Sequence, residues 1–212
     1  MYVEQVSPVP PQGGYPVALG VTTDRDLNRW WGIPFFGSAL RWFLCIPHFV
    51  VLWVLQIVLG LWMLLGWIYI LAFGRVPAIV LRLSIEAVQR SSRVTGYALF
   101  LMPGEYPPLE PGPSKPINVQ MTLESLEINR LWGIPGFNWL VRFIVLIPHI
   151  VVVSILWTIA VVLVLIVWIP ILATGRYPDW AASFFGMTLR YTTRMAAYFL
   201  FLPVPYPPIA PN

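Results

Sequence analysis

The sequence predicts an all-α membrane protein built from two tandem repeats, with about four membrane helices. Three observations lead to this fold class: the composition, two long charge-free segments and an internal duplication. Of the 212 residues, 58% are hydrophobic and only 10% are charged, whereas a soluble domain carries about 25% charged residues. A water-soluble globule needs more polar surface than this. Disorder is excluded as well, because disordered chains are poor in aliphatic and aromatic residues.

The duplication relates the two halves of the chain at an offset of 101 residues. The Asn-Arg-Trp-Trp-Gly-Ile-Pro run at 28–34 recurs as Asn-Arg-Leu-Trp-Gly-Ile-Pro at 129–135. Between 28–101 and 129–202, 28 of the 74 aligned positions are identical. Apolar bias alone would not align prolines, histidines and arginines in register, so the sequence contains two copies of the same module.

The domain organisation follows from this duplication. Residues 1–14 are rich in proline and glycine and predict a flexible N-terminus without a cleavable signal peptide. We assign repeat 1 to residues 15–109, a linker to 110–114 and repeat 2 to 115–212. Both repeats end on a Tyr-Pro-Pro motif, which we interpret as part of the module.

Each repeat opens with a short alternating stretch, at 16–22 and 116–122. A period of two is typical of a half-buried strand. We predict that the two strands pair with each other across the repeats.

A charge-free segment of 32 residues follows in each repeat, at 42–73 and 143–174. About 20 apolar residues suffice to cross a membrane, so we predict crossing helices near 48–72 and 149–173. The excess residues predict an interfacial piece before each crossing, separated from it by a break at the proline of the Ile-Pro-His motif.

The second helix of each repeat is amphipathic and carries arginines. In repeat 1, Arg82, Glu86, Arg90 and Arg93 share one helical face. Such a helix can lie at the interface with its arginines toward headgroups, or cross with its polar face turned into a bundle. Four crossings, two in each repeat, give both repeats the same orientation in the membrane. The alternative is two crossings, with the second helix of each repeat lying at the interface.

With four crossings, ten of the 13 basic residues lean toward the side of the termini. These are Arg25, Arg29, Arg41, Arg90, Arg93, Lys115, Arg130, Arg142, Arg190 and Arg194, while Arg75, Arg82 and Arg176 lean away. The positive-inside rule then predicts cytoplasmic N- and C-termini in a multi-pass protein of the bacterial cytoplasmic (inner) membrane.

The repeated arginines and tyrosines are the candidate binding residues for lipid or a partner. They are Arg41, Arg90, Arg93, Tyr97, Arg142, Arg190, Arg194 and Tyr198. From their (i, i+4) spacing, we expect Arg93 to pair with Tyr97 and Arg194 with Tyr198. The arginine and the tyrosine hydroxyl of such a pair can together hold a phosphate or headgroup. The alternative is that the arginines snorkel and only anchor their helices.

Two histidines, His48 and His149, occupy equivalent positions and are the only ones in the chain. They could ligate a haem from two helices, or each could cap a helix start at the interface. We interpret Cys45 as a small apolar side chain that fills space between its neighbours. No metal-ligand spacing, catalytic carboxylate pair or phosphate loop occurs, so we predict no metal site and no catalytic residues.

The ordered motifs resemble the bacterial membrane-domain family DUF4389. The best matches are Ile147-Pro148-His149, Gly175-Arg176-Tyr177-Pro178, Arg190, Arg194, Tyr198 and Tyr206-Pro207-Pro208. Repeat 1 departs from this pattern with Val76 in place of the tyrosine and Gln89 in place of the first helix arginine. The resemblance implies an inner-membrane protein and brings no activity or ligand.

The leading functional hypothesis is a non-enzymatic integral membrane protein, a lipid-interacting scaffold or accessory subunit without a cofactor. Its expected partners are membrane lipids, anionic ones in particular, and a protein partner or a second copy. Nucleic acid is excluded because the arginines are strung singly between apolar stretches. A small transporter or channel component is the alternative, and a bis-histidine haem or redox subunit is a weaker one.

Overall fold

A computed structural model provides the fold of the protein. It describes residues 15–21, 25–33, 36–110, 117–121, 127–134, 136–200 and 202–208. The predicted flexible segment 1–14 lies outside the described residues, as does all but the first residue of the predicted linker.

The fold is mostly helical, with one pair of short strands. In chain order the elements are β1 (Val17–Val21), a 3₁₀ turn (Arg29–Gly32), α1 (Phe36–Leu44), α2 (Ile46–Phe73), α3 (Ala78–Val94), a π-helical turn (Thr95–Leu99), β2 (Ile117–Met121), a 3₁₀ turn (Arg130–Gly133), α4 (Phe137–Thr174) and α5 (Asp179–Phe199). The same order of elements in both halves confirms the predicted two-fold repeat.

The Gly-Arg-x-Pro motif ends each long helix and starts the next. Gly74 and Gly175 adopt left-handed backbone angles, with φ of 65° and 71°, and their amides bond to the last turn of α2 and α4. This is the glycine C-cap that the absence of a Cβ favours. Pro77 and Pro178 then stand immediately before α3 and α5.

The predicted break at the Ile-Pro-His motif occurs in repeat 1 only. α1 and α2 are separate helices around Cys45, but α4 runs without interruption through Pro148. The prediction was therefore wrong for repeat 2. A single proline removes one backbone hydrogen bond, which a helix can absorb by bending. Even in repeat 1 the Cys45 amide still bonds to the carbonyls of Arg41 and Trp42.

The predicted strand pairing is confirmed, and it reveals how the repeats are related. β1 and β2 pair antiparallel with Leu19 opposite Val119. These are equivalent residues, because the two strands are offset by 100 residues, one fewer than the rest of the repeats. On α3 and α5, the equivalent hydroxyls of Ser92 and Thr193 lie 2.8 Å apart. Both contacts lie on one pseudo-two-fold axis, so α3 and α5 run antiparallel, and the axis is roughly perpendicular to them.

α3 forms the middle of three layers. Ala87 of α3 and Ala98 of the π-helical turn that continues it lie on one face and pack with residues of α2. Gln89 bonds to the Val119 carbonyl of β2 at 2.9 Å, and Gly96 lies against Ile117. At 3.6 residues per turn these two faces are nearly opposite. The repeat relationship gives α5 the same surroundings, so the layers are β1 with β2, α3 with α5, and α2 with α4.

The outer helical layer exposes apolar side chains. α2 and the Leu140–Thr174 part of α4 are long and apolar enough to cross a membrane by length and composition, and only 17% and 11% of their most apolar windows are buried. These two helices coincide with the two predicted crossings. α3 and α5, the other two predicted membrane helices, are largely buried between layers.

The repeats also exchange their entry segments. Leu27 donates its amide to the Gly175 carbonyl, and the equivalent Ile128 donates to Gly74. The side chain of Arg29 packs on Gly175, and that of Arg130 on Gly74. This contact contradicts the prediction from the sequence, which places Arg29 and Arg130 on one side of the membrane and Arg75 and Arg176 on the other. The contact crosses between repeats, and helical periodicity carries no information about such pairing.

Gly32 provides a test of this exchange, because a Cβ there would lie 2.5 Å from the backbone nitrogen of Leu172 in α4. We expect Gly32→Ala to destabilise the fold by about 1–3 kcal/mol through overpacking. The measurement is thermal unfolding in detergent. Gly60→Ala is the control, since a Cβ at that helical position meets nothing within 4 Å. Equal melting temperatures for both variants would contradict the predicted contact.

Candidate functional site

Each repeat contains a buried polar cluster where the segment after its second helix meets the start of its long helix. The repeat-1 cluster comprises Arg41, His48, Arg90, Tyr97 and Tyr106. The repeat-2 cluster comprises Arg142, His149, Tyr191, Tyr198 and Tyr206. Most of the predicted binding residues therefore come together, within each repeat rather than between repeats.

Arg41 is the centre of the repeat-1 cluster and is 1% exposed. Its Nη1 donates to the carbonyls of Tyr97 and Met102, both at 2.9 Å. The guanidinium also lies between two rings, 4.6 Å from the centre of Trp31 and 4.4 Å from that of Tyr97. Burial lowers the pKa of Arg41 to about 10. Because this pKa is still well above neutral pH, the guanidinium is charged. A cation is favourable there because the carbonyls at a helix C-terminus carry partial negative charge.

His48 links the start of α2 to the closing Tyr-Pro-Pro segment. Its Nε2 lies 3.0 Å from the Pro107 carbonyl oxygen, and its Nδ1 lies 3.2 Å from Nη1 of Arg90. Since a carbonyl can only accept, Nε2 carries the proton and Nδ1 accepts from Arg90. Arg90 in turn donates to Glu86 at 2.8 Å and to the Leu109 carbonyl at 2.7 Å.

The repeat-2 cluster keeps this plan with different chemistry. Arg142 donates to the Tyr198 carbonyl and lies 4.6 Å from the centre of that ring. His149 bonds through Nδ1 to the hydroxyl of Tyr191, which stands where repeat 1 has Arg90. The hydroxyl of Tyr206 donates to the Val145 carbonyl at 3.1 Å, as that of Tyr106 does to Leu44 at 2.9 Å.

The other predicted binding residues lie beside the clusters. Arg93 and Arg194 are each 4% exposed, and the guanidinium of Arg194 lies 5.6 Å from the ring centre of Tyr15. Arg190 faces the strand layer and donates to the Leu19 carbonyl at 3.3 Å. This mirrors the bond from Gln89 to Val119 in repeat 1, so the glutamine occupies the place of the family arginine.

Sequence reasoning placed the tyrosines on the right helices but with the wrong partners. We expected Tyr97 to pair with Arg93, and Tyr198 with Arg194, from their spacing along the helix. Each ring instead stacks on an arginine from the preceding helix, Arg41 or Arg142. The cluster roles of Tyr106 and Tyr206 were missed, although their repeated Tyr-Pro-Pro motif was the available signal.

In this geometry the polar side chains of the clusters bond to other parts of the protein, which indicates a structural role. Arg41 and Arg142 donate to backbone carbonyls at helix ends, and both ring nitrogens of His48 face protein atoms. A haem ligand needs a free ring nitrogen, which His48 does not offer in this arrangement. Within the described ranges, no three His, Cys, Asp or Glu side chains gather as a metal site would require.

Exposed arginines lie instead at the ends of the long helices. Arg29 and Arg176 sit at the end of α4, and Arg75 and Arg130 at the end of α2. Arg176 also pairs with Asp26 at 3.5 Å. Exposed apolar side chains adjoin both groups, with Trp30 70% and Leu131 60% exposed. We call these two groups the end arginines.

The fold and its clusters define a tandem-repeat helical protein with two apolar helices of membrane-spanning length. The sequence model of a domain of unknown function, DUF4389, matches the chain twice, at residues 37–109 and 138–210. The protein belongs to the DUF4389 family, with one domain in each repeat, as the sequence motifs predicted. No curated protein and no solved structure matches the sequence.

The bonds of Arg41 predict a large effect on stability. Arg41→Gln cannot reach both carbonyls, and a lost hydrogen bond to a charged group costs about 1.5–3 kcal/mol. We expect a clearly lower free energy of unfolding in detergent. The measurement is unfolding monitored by circular dichroism. Arg82→Gln, at an exposed arginine of α3, should stay within about 0.5 kcal/mol of wild type. A neutral Arg41→Gln would show that its bonds are not required for folding.

Proposed function

We propose that the protein is a non-enzymatic integral membrane protein that acts as a lipid-interacting scaffold or accessory subunit. The observation that carries this proposal is the exposed apolar surface of the α2–α4 layer. Large side chains such as Trp53, Leu64, Leu65 and Leu165 are 60–69% exposed along it. Soluble monomers rarely expose apolar patches larger than a few hundred Å², and lipid hydrocarbon is the environment that accommodates such a surface.

The layering favours one orientation in the bilayer. The chain after α3 returns beside it, since Val119 contacts Gln89 and Glu127 bridges to Arg75 at the opposite end. If α3 crossed the membrane, this charged and proline-rich return would have to cross with it. We therefore place the pseudo-two-fold axis along the membrane normal, with α2 and α4 embedded below α3 and α5 and the strands on the far side of α3 and α5 from the bilayer.

The four-crossing topology with cytoplasmic termini in the inner membrane is the competing prediction from the sequence, and the contact of Arg29 with Gly175 contradicts the sides that it gives to the arginines. It requires α3 and α5 to cross beside α2 and α4. In the proposed arrangement, α3 and α5 instead lie parallel to the membrane, as in the sequence alternative with interfacial amphipathic helices. It differs from that alternative, which has two crossings, because α2 and α4 do not cross either.

Lipid recognition is assigned to the end arginines rather than to the buried clusters. Guanidinium groups bind phosphate through paired hydrogen bonds and are only weakly hydrated. The exposed tryptophan beside Arg29 suits the headgroup level, where indole rings concentrate. Anionic lipids are therefore the proposed partners. A transport role is less well supported, because the contact between α3 and α5 is closed by Phe100 stacked on Phe185 at 4.4 Å.

Cysteine labelling tests the orientation. In a Cys45→Ala background we expect Glu105→Cys, Arg75→Cys and Arg176→Cys to react with a membrane-impermeant maleimide from the same side of the membrane. Residue 105 and residue 75 adjoin opposite ends of α2. Labelling of residues 75 and 176 from the side opposite to residue 105 would establish crossing helices and overturn the proposed arrangement.

Lipid retention tests the role of the end arginines. We expect the purified protein to retain phosphatidylglycerol preferentially over phosphatidylethanolamine. An arginine near an anionic surface contributes about 1 kcal/mol, or roughly fivefold in affinity. The double variant Arg29→Gln with Arg130→Gln should therefore lose most of this preference, measured by mass spectrometry of the extracted lipid. Arg82→Gln is the matched control, and equal losses in the two proteins would disprove the assignment.

A further inference from the structure

A cavity of about 250 Å³ lies between α2 and the end of α5, with α3 as its floor. Gln56, Gly60 and Met63 line it from α2, Ser91 from α3 and Phe199 from α5. None of these residues belongs to the buried clusters or to the end arginines. The cavity adjoins the apolar layer that we assign to the membrane.

At the equivalent position of repeat 2, larger side chains replace two of the residues that line the cavity. Trp157 stands in place of Gln56, and its ring centre lies 5.6 Å from that of Phe100. Val161 stands in place of Gly60, where a Cβ would meet nothing within 4 Å. The pseudo-symmetric fold therefore tolerates a filled cavity, and repeat 1 departs from it with small and polar residues.

The polar groups of the cavity are an amide and a hydroxyl. Gln56 is exposed and is the only amide side chain of the 28-residue α2. Ser91 donates its hydroxyl hydrogen to the Val88 carbonyl at 3.0 Å, which leaves its oxygen free to accept. A polar group in an apolar environment costs free energy unless it finds a hydrogen-bond partner. The remaining walls are apolar, so a suitable ligand combines an apolar body with one hydrogen-bonding group.

We propose that this cavity binds a lipid-soluble molecule through a carbonyl or hydroxyl group held by Gln56, with its hydrocarbon chain between α2 and α5. The volume lies below the 300–1,000 Å³ of typical ligand pockets, which fits a chain rather than a bulky ring system. This inference rests on the proposed membrane location. The same chemistry occurs in free fatty acids and in the acyl esters of bilayer phospholipids.

Photo-crosslinking in phosphatidylcholine vesicles tests the site. One arm contains palmitic acid with a diazirine in its chain, and the other contains phosphatidylcholine carrying the same chain. We expect adducts on the cavity-lining segments 56–63 and 196–200, located by peptide mass spectrometry. The arm that labels them identifies the source of the carbonyl. Gln56→Leu should weaken labelling roughly fivefold, as expected for one lost hydrogen bond.

The filling variant copies repeat 2. Gln56→Trp with Gly60→Val should abolish the cavity adducts, whereas the control Leu64→Trp adds the same ring on an exposed position of α2 and should retain them. Uniform labelling of α2 that the filling variant does not change would overturn the proposal. So would crosslinks from residue 56 to a second copy, which would make Gln56 a helix-association contact. Absence of label from the whole exposed face of α2 would instead refute the membrane location itself.

Discussion

Two buried guanidinium groups, those of Arg41 and Arg142, hold the helical layers of this protein together. Each joins the beginning of a charge-free segment to the carbonyl end of the helix that follows it. A buried charge is costly unless hydrogen bonds compensate it, and here the acceptors are carbonyls at or just after helix ends, where intrahelical donors run out. The Nη1 group of each arginine therefore finds its acceptors at the end of a helix, and the helix end gains a charged donor. The aromatic rings stacked on both guanidiniums exclude water from this arrangement.

The pseudo-two-fold axis preserves geometry where the side chains have changed. Gln89 and Arg190 both donate to a strand carbonyl, and Arg90 and Tyr191 both bond to Nδ1 of a histidine. Each pair differs in charge but keeps a donor at the same place. The position thus requires a hydrogen-bond donor of sufficient length rather than a particular residue. The cavity beside Gln56 is an exception, because there the two repeats differ in volume as well as in polarity.

Local signals in the sequence were sufficient for the elements but not for their assembly. The strand pairing and the two long apolar helices followed from alternation and hydropathy, and the predicted ends of these helices lie within two residues of the capping glycines, Gly74 and Gly175. The partners of Tyr97 and the placement of Arg29 against Gly175 did not follow from such signals, because both contacts join segments far apart in the chain. Helical periodicity identifies the residues that share a face without identifying what that face meets. The uninterrupted α4 shows a related limit, since a proline such as Pro148 costs one backbone hydrogen bond but does not by itself decide whether a helix ends.

The antiparallel pairing of Leu19 with Val119 has a consequence for the assembly of a single repeat. One repeat alone would leave β1 as an unpaired strand edge, and such edges readily pair with another chain. Two separate copies could meet around the same axis, with the hydroxyl of residue 92 facing its own counterpart. Joining the copies in one chain turns this bimolecular association into an intramolecular one, at an effective concentration in the millimolar range. The tandem chain is in this sense a covalently linked homodimer, in which each half has been free to diverge.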